Sequence, residues 1–178
     1  GLEFAHSAIE TYGEQQFRLV YGRRLGDKLL LGGSANIHRV SAQEYGNATG
    51  LSFGLSLLSE PLPGLWLGAR VQNPLQLEMS GAALPSVLRI GAAWQAATTL
   101  TLLAETEKDL DRPAQIKAGI EYHPVEALAL RIGIRTEPAR LGFGAGIQLK
   151  NGLEFNSGAE WHPTLGLTPS AMLVWRRK

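Results

Sequence analysis

Strict two-residue alternation of apolar with small or polar side chains is the feature of this sequence that most constrains its fold. In residues 140–149, RLGFGAGIQL, the odd positions are apolar and the even positions hold Arg, Gly and Gln. The same alternation occurs in residues 29–38, 51–57, 114–122, 128–135 and 153–161. Because successive residues of a β-strand point to opposite faces, each stretch predicts a strand with one apolar face and one polar face.

Taken along the whole chain, the alternation predicts an all-β protein of about twelve strands that form a single domain over residues 1–178. Prolines fall at the breaks, and Gly26-Asp27 and Asn151-Gly152 are typical of tight hairpin turns. Strands of about 8–12 residues have the length that a tilted strand needs to cross a bilayer. The predicted strands are roughly 2–9, 15–24, 28–40, 48–58, 64–72, 86–95, 98–107, 113–122, 127–135, 140–149, 152–161 and 168–176.

The predicted connections differ in length at the two ends of the strands. Short links follow every second strand, near 25–27, 59–63, 96–97, 123–126 and 150–151. Longer links near 41–47, 73–85, 108–112 and 162–167 fall at the other end, where only the link at 136–139 is short. Outer-membrane barrels have short periplasmic turns and longer outer loops. We therefore predict an antiparallel up-and-down transmembrane β-barrel in the bacterial outer membrane, with both termini periplasmic.

Two environments suit the apolar faces, and the sequence favours lipid over the core of a soluble β-sandwich. Glycine is frequent on the polar face, where it suits a curved barrel interior better than a solvated surface. Aromatic residues lie near strand ends on the apolar face, as in the aromatic girdle of a membrane protein. The predicted girdle comprises Tyr21, Trp94, Tyr122, Trp161 and Trp175.

Charged residues of the polar face are expected to point into the barrel and to pair there, because charges in a narrow lumen need partners. The hairpin predicted around residues 96–97 places Arg89 near Glu105, and the next pairing places Glu105 near Lys117. Such a ladder holds the interior together or lines a solute path. The predicted network comprises Arg70, Arg89, Glu105, Glu107, Lys117, Glu121, Arg131, Arg135, Glu154 and Glu160.

Composition and spacing exclude several other functions. A net charge of +1 gives no basis for nucleic-acid binding. Cysteine is absent, and the four histidines lack the spacing of metal ligands, so we predict no metal, no cofactor and no disulfide. Ser34, Asn36 and His38 share one strand face, but that face points inward, whereas lipid hydrolysis requires such groups to face lipid. The chain is therefore predicted to be non-enzymatic.

The long connection 73–85, NPLQLEMSGAALP, carries apolar residues in a position where loops are usually polar. Leu75, Leu77 and Met79 predict either a loop folded over the barrel mouth as a plug or a contact surface for another envelope or secretion protein.

Four stretches together resemble the PorV/PorQ-like outer-membrane barrels of Bacteroidetes-type bacteria, which are distantly similar to the FadL long-chain fatty-acid transporters. The stretches are EQQFRLVYGRRLGDKLLLG (14–32), ALPSVLRIGAAW (83–94), LLAETEKDLDRPAQIKAGIEYHPVEALALRIGI (102–134) and HPTLGLTPSAMLVW (162–175). The resemblance implies a barrel of about fourteen strands. It also implies an accessory role in type IX secretion for some members. The family's N-terminal region has no counterpart here, which implies that about two strands and an N-terminal plug are lacking.

The final strand runs into Arg176, Arg177 and Lys178 instead of the terminal aromatic residue that barrel assembly usually reads. The leading functional prediction is a non-enzymatic accessory or structural barrel of the cell envelope, in contact with outer-membrane lipid. The alternatives are a FadL-like channel for small apolar solutes and a soluble β-sandwich adhesion module.

Overall fold

The structure, a computed structural model, describes residues 1–9, 11–42, 46–149 and 152–175. Strands and turns account for the regular structure of these residues, which include no helix long and apolar enough to cross a membrane. In chain order the strands are β1 (Leu2–Ile9), β2 (Tyr12–Leu25), β3 (Leu29–Ala42), β4 (Gly46–Leu62), β5 (Leu65–Gln72), β6 (Glu78–Met79), β7 (Ala82–Ala83), β8 (Val87–Ala97), β9 (Leu100–Asp109), β10 (Gln115–Val125), β11 (Leu128–Arg135), β12 (Arg140–Gln148), β13 (Leu153–His162) and β14 (Gly166–Trp175).

Within the described residues, twelve strands form one sheet, in which each strand pairs with the strands that precede and follow it in the chain, except that β5 pairs with β8. The order is β1-β2-β3-β4-β5-β8-β9-β10-β11-β12-β13-β14, and β6 pairs with β7 in a separate two-stranded hairpin. The predicted antiparallel, up-and-down arrangement of about twelve strands is confirmed. The β6–β7 hairpin, inside the connection 73–85, was not predicted, because two-residue strands are too short to show alternation.

Turn positions follow the predicted sites in most hairpins. Gly26 has φ of 70° in the turn between β2 and β3, a value that favours glycine, so the predicted turn there is confirmed. Asn151 of the other predicted tight turn lies outside the described residues. The β8–β9 turn falls at residues 98–99 instead of 96–97, because β8 continues to Ala97 and β9 begins only at Leu100.

The chain divides into two compact units. Unit 1 comprises Gly1–Pro61, Leu67–Ile90 and Glu107–Pro113, and unit 2 comprises Leu62–Trp66, Gly91–Thr106 and Ala114–Lys178.

In both units the apolar side chains of the strands are more exposed than the polar ones, the reverse of a water-soluble domain. On β4 of unit 1, Leu55 is 61% exposed, whereas Ser52, of the opposite parity, is 1% exposed. On β11 of unit 2, Ile132 and Ile134 are 52% and 60% exposed. Large exposed apolar surfaces are unfavourable in water and mark contact with a membrane or a partner. The two strand faces are called the apolar face and the polar face from here on.

Candidate functional site

A buried polar cluster joins β2, β3 and β4 on the polar face of unit 1. Asn36 is fully buried, and its Oδ1 accepts a hydrogen bond of 2.8 Å from Arg18 Nε. Its Nδ2 donates to the backbone carbonyl of Ser52 at 3.3 Å and to Ser52 Oγ at 3.2 Å. Arg18 also pairs with Glu3 at 2.9 Å. The cluster arises from the register, which places Asn36 directly opposite both Arg18 and Ser52.

Ser52 and His38 lie together in this cluster, but the serine hydroxyl is not accessible as a nucleophile. His38 Nε2 lies 3.0 Å from Ser52 Oγ, and Ser52 is too deeply buried for a substrate to reach it. Ser34 Oγ is buried without a hydrogen-bond partner among the described residues. Among those same residues, no group of three or more His, Asp or Glu side chains could hold a metal ion. The arrangement stabilises the polar interior of unit 1.

The connection 73–85 folds back onto the polar face of unit 1. Asn73 is buried and organises the segment: its Oδ1 accepts a hydrogen bond of 2.9 Å from the Leu77 N–H, and its Nδ2 donates to the Leu84 carbonyl at 2.9 Å. Met79 packs on β4, since a Cβ placed on Gly50 would lie 2.8 Å from Met79 Cβ. Leu75 differs from these residues and is 68% exposed. We call this segment the inward loop.

The predicted contact between Arg89 and Glu105 is wrong. Arg89 Nε donates to Glu107 at 2.7 Å instead, because the β8–β9 turn lies farther along the chain than predicted, which moves the partners of β8 residues toward the C-terminal end of β9. Arg70 lies on β5 of unit 1, close enough to the positive charges of Arg18 and Arg89 to be repelled by them.

Unit 2 carries the other predicted ion pairs. Lys117 Nζ lies 2.8 Å from Glu105 Oε1, so that predicted contact is confirmed. Arg131 Nε donates to Glu121 Oε2, and Arg131 Nη1 donates to Asn156 Oδ1 at 2.6 Å. These bonds link β10, β11 and β13 across the polar face.

Two flanking groups extend this network of Glu121, Arg131 and Asn156. His123 Nε2 lies 2.8 Å from Glu121 Oε1. Asn156 Nδ2 donates to Glu154 Oε1 at 3.0 Å. The predicted residues Glu121, Arg131 and Glu154 therefore belong to one continuous polar network on β10, β11 and β13 of unit 2.

A pair of arginines shares a single carboxylate at the other end of these strands. Arg135 Nη2 lies 3.2 Å from Glu160 Oε1, and Arg140 Nη1 donates to the same oxygen. Arg135 and Arg140 are direct cross-strand neighbours, so Glu160 offsets the repulsion between two like charges. Arg140 was not among the predicted network residues. Its place opposite Arg135 in a short hairpin was the signal that could have identified it.

A cavity of about 680 Å³ lies between these two charged clusters on the polar face of unit 2. We call it the glycine trough. Its floor is bare backbone, its sides include Leu103 and Met172, and the Glu121–Arg131–Asn156 network lies at one end. The floor residues are Gly119, Gly133, Gly142, Gly144 and Gly158. The frequent glycines are evident in the sequence, but a cavity depends on strand register, which the sequence alone does not determine.

All five residues of the predicted aromatic girdle are exposed on the apolar face. Trp94 and Tyr122 lie three residues before the ends of β8 and β10, and Trp175 ends β14. Trp161 lies near the end of β13, and Tyr21 lies in the last third of β2. Their position at a membrane interface stays a prediction.

Known proteins resemble this chain in fold but not detectably in sequence. No family model and no curated protein sequence matches it. A KdgM porin solved in complex with disordered oligogalacturonate aligns with a TM-score of 0.57 at 8% identity, over 97% of this chain and 95% of its own. A double mutant of the Rhodopseudomonas blastica porin aligns with a TM-score of 0.54 at 10% identity, over 91% and 89% of the two chains. The chain therefore has the antiparallel β-barrel fold of the porins.

Proposed function

We propose that this porin-fold β-barrel spans a bacterial outer membrane and forms a passive channel for small hydrophilic solutes. The observation that carries the proposal is the inverted polarity of the strands, with apolar side chains exposed and ion pairs on the opposite face. Lipid would cover the apolar face, and water would fill the space along the polar face. The termini are placed in the periplasm on the same reasoning, because short turns face that side in such barrels.

A channel role is preferred over the accessory role in secretion that the family resemblance implies. Both solved structures reported above are porins, and a cavity on the polar face of unit 2 is a feature that a channel needs. A path for purely apolar solutes, as in the FadL-like alternative, fits less well. Such a solute would cover charged groups such as Glu121 and Arg131 without replacing their contact with water.

Conductance tests the channel directly. The full chain, purified in detergent and inserted into a planar lipid bilayer, is expected to give stepwise, ohmic currents in potassium chloride. The same sample is expected to shift in gel mobility on boiling, as closed membrane barrels do. Insertion without conductance contradicts the channel. A protein that stays monomeric and folded in water without detergent contradicts the membrane barrel altogether.

The inward loop is expected to narrow the channel. Its Met79 and Leu84 pack against β4, so the loop occupies space on the polar face that solutes would otherwise use. Deleting residues 75–82 is therefore expected to raise the single-channel conductance by about twofold, while the mobility shift on boiling persists. Unchanged conductance would mean that the loop lies outside the path.

Leu75→Ser provides the matched control for this deletion, because Leu75 lies within the deleted segment and is largely exposed. Its substitution should leave conductance unchanged. The variant also tests the second predicted role of the loop. If the loop binds another envelope protein, Leu75→Ser weakens capture of that protein while the channel stays intact.

A further inference from the structure

We infer that the glycine trough of unit 2 is a binding site for a neutral oligosaccharide. This inference rests on the proposed channel function, since the channel is what brings a solute to the polar face. It goes further by naming the chemical class of the solute and the residues that select it. Three features of the trough carry it: a flat floor, a polar end with donors and acceptors side by side, and a balanced charge.

The floor is flat because glycines of neighbouring strands lie in register. Gly119 is opposite Gly133, Gly133 is opposite Gly142, and Gly144 is opposite Gly158. No side chain rises from these positions, so backbone and α-carbons form the surface. Ligand sites are concave and mostly nonpolar, with a few placed polar groups. The C–H face of a sugar ring suits such a floor, and the volume of about 680 Å³ falls in the size range of small-molecule sites.

The polar end provides the groups that hydroxyls need. Arg131 offers N–H donors, Glu121 offers acceptor oxygens, and the Asn156 amide offers both kinds of group. These side chains are already held in place by their mutual hydrogen bonds. Arg131 and Glu121 remain partly exposed, at 38% and 28%, so a solute in the trough can reach them. Since each sugar hydroxyl both donates and accepts, vicinal hydroxyls match this arrangement.

Charge balance favours a neutral ligand, because across the two clusters that flank the trough the positive charges of Arg131, Arg135 and Arg140 are matched in number by the negative charges of Glu121, Glu154 and Glu160. The positive charge of Arg131 is already paired with Glu121, so an incoming carboxylate would have to compete with Glu121 for it. Glu154, hydrogen-bonded to Asn156, adds a second negative charge beside this end of the trough. A hydroxyl adds no charge and avoids both penalties.

Gly142→Leu is the variant that fills the trough with least strain. A Cβ on Gly142 would meet only the Gly133 carbonyl oxygen, at 3.8 Å, whereas one on Gly158 would lie 2.9 Å from the Phe143 oxygen. Gly22→Leu is its matched control. A Cβ on Gly22 also meets a single backbone oxygen at 3.8 Å, that of Leu31, and Gly22 lies in unit 1, outside the trough.

Isothermal titration calorimetry of the detergent-solubilised full chain tests the site with maltotriose and trigalacturonate as probes. We expect maltotriose to bind more tightly than trigalacturonate, Gly142→Leu to weaken maltotriose binding by about tenfold or more, and Gly22→Leu to leave it unchanged. Equal or tighter binding of trigalacturonate overturns the inference. So does maltotriose binding that is absent, or that Gly142→Leu does not alter in a protein that still shifts in mobility on boiling.

Glu121→Gln tests the preference between the two probes, which a merely structural role of Glu121 would not affect. Removing the carboxylate leaves the Arg131 charge uncompensated, so the preference should shift from maltotriose toward trigalacturonate. An unchanged preference overturns the selecting role of the Glu121–Arg131 pair. These titrations do not require ion conduction. A chain that binds maltotriose but carries no current contradicts the channel alone, and a chain that conducts without binding contradicts the trough alone.

Discussion

Replacing Ile132 by arginine is expected to lower the free energy of unfolding in lipid vesicles by about 2–4 kcal/mol, the cost of a cation on the lipid face near the bilayer midplane. Ile132 lies in the middle of β11, between Ile120 and Phe143 of the neighbouring strands. All three side chains are exposed on the apolar face. An arginine there must bring its charge into hydrocarbon or bend toward the headgroups. Reversible urea unfolding in vesicles measures the difference.

Ser170→Arg is the control for this substitution. Ser170 lies on the polar face of β14, opposite Gly158 of the trough floor, where water of the proposed channel is close. The same new side chain should therefore cost less than about 1 kcal/mol. If arginine costs as much at position 170 as at position 132, the assignment of the two faces is wrong.

Asn36→Ala is expected to destabilise the protein by about 2–3 kcal/mol, since it leaves buried hydrogen-bonding groups without partners. Asn36 accepts from Arg18 Nε and donates to two oxygens of Ser52. Because the site is fully buried, water cannot replace the lost amide. The loss is largest for the charged Arg18 guanidinium.

Ser34→Ala, two residues earlier on the same face of β3, should behave oppositely. The Ser34 hydroxyl is buried and has no hydrogen-bond partner among the described residues, so its removal should change stability by less than about 0.5 kcal/mol or increase it. Unfolding of both variants in urea provides the comparison. Equal losses for the two substitutions would show that Asn36 is not the centre of the cluster.

The strands could be predicted from the sequence because alternation records directly which face each residue occupies. The period-two stretches at 128–135 and 140–149 match β11 and β12 closely. The pair of Glu105 with Lys117 was also predictable, since the connection between their strands was placed closely enough. Hairpin register is more fragile. Placing the β8–β9 turn two residues early was enough to assign Arg89 the wrong partner.

Contacts that depend on exact strand register or on the packing of a loop could not be predicted. The inward loop packs on Gly50 through Met79, and nothing in either segment alone specifies the other. The trough likewise depends on glycines of four strands coming into register. Asn36, Arg18 and Ser52 were missed as a cluster for the same reason, although the alternation places all three on the polar face.

Single-cysteine labelling tests most directly whether the two strand faces meet water and lipid. The chain contains no cysteine, so one introduced thiol reports one position. Ser170→Cys and Ala171→Cys change little in size and lie on opposite faces of β14. In proteoliposomes, a water-soluble maleimide should label the thiol at position 170 and spare that at 171, which a lipid-dissolved maleimide should label instead. Equal labelling of both thiols by the water-soluble reagent, or the reverse pattern, would contradict a membrane channel with this polarity.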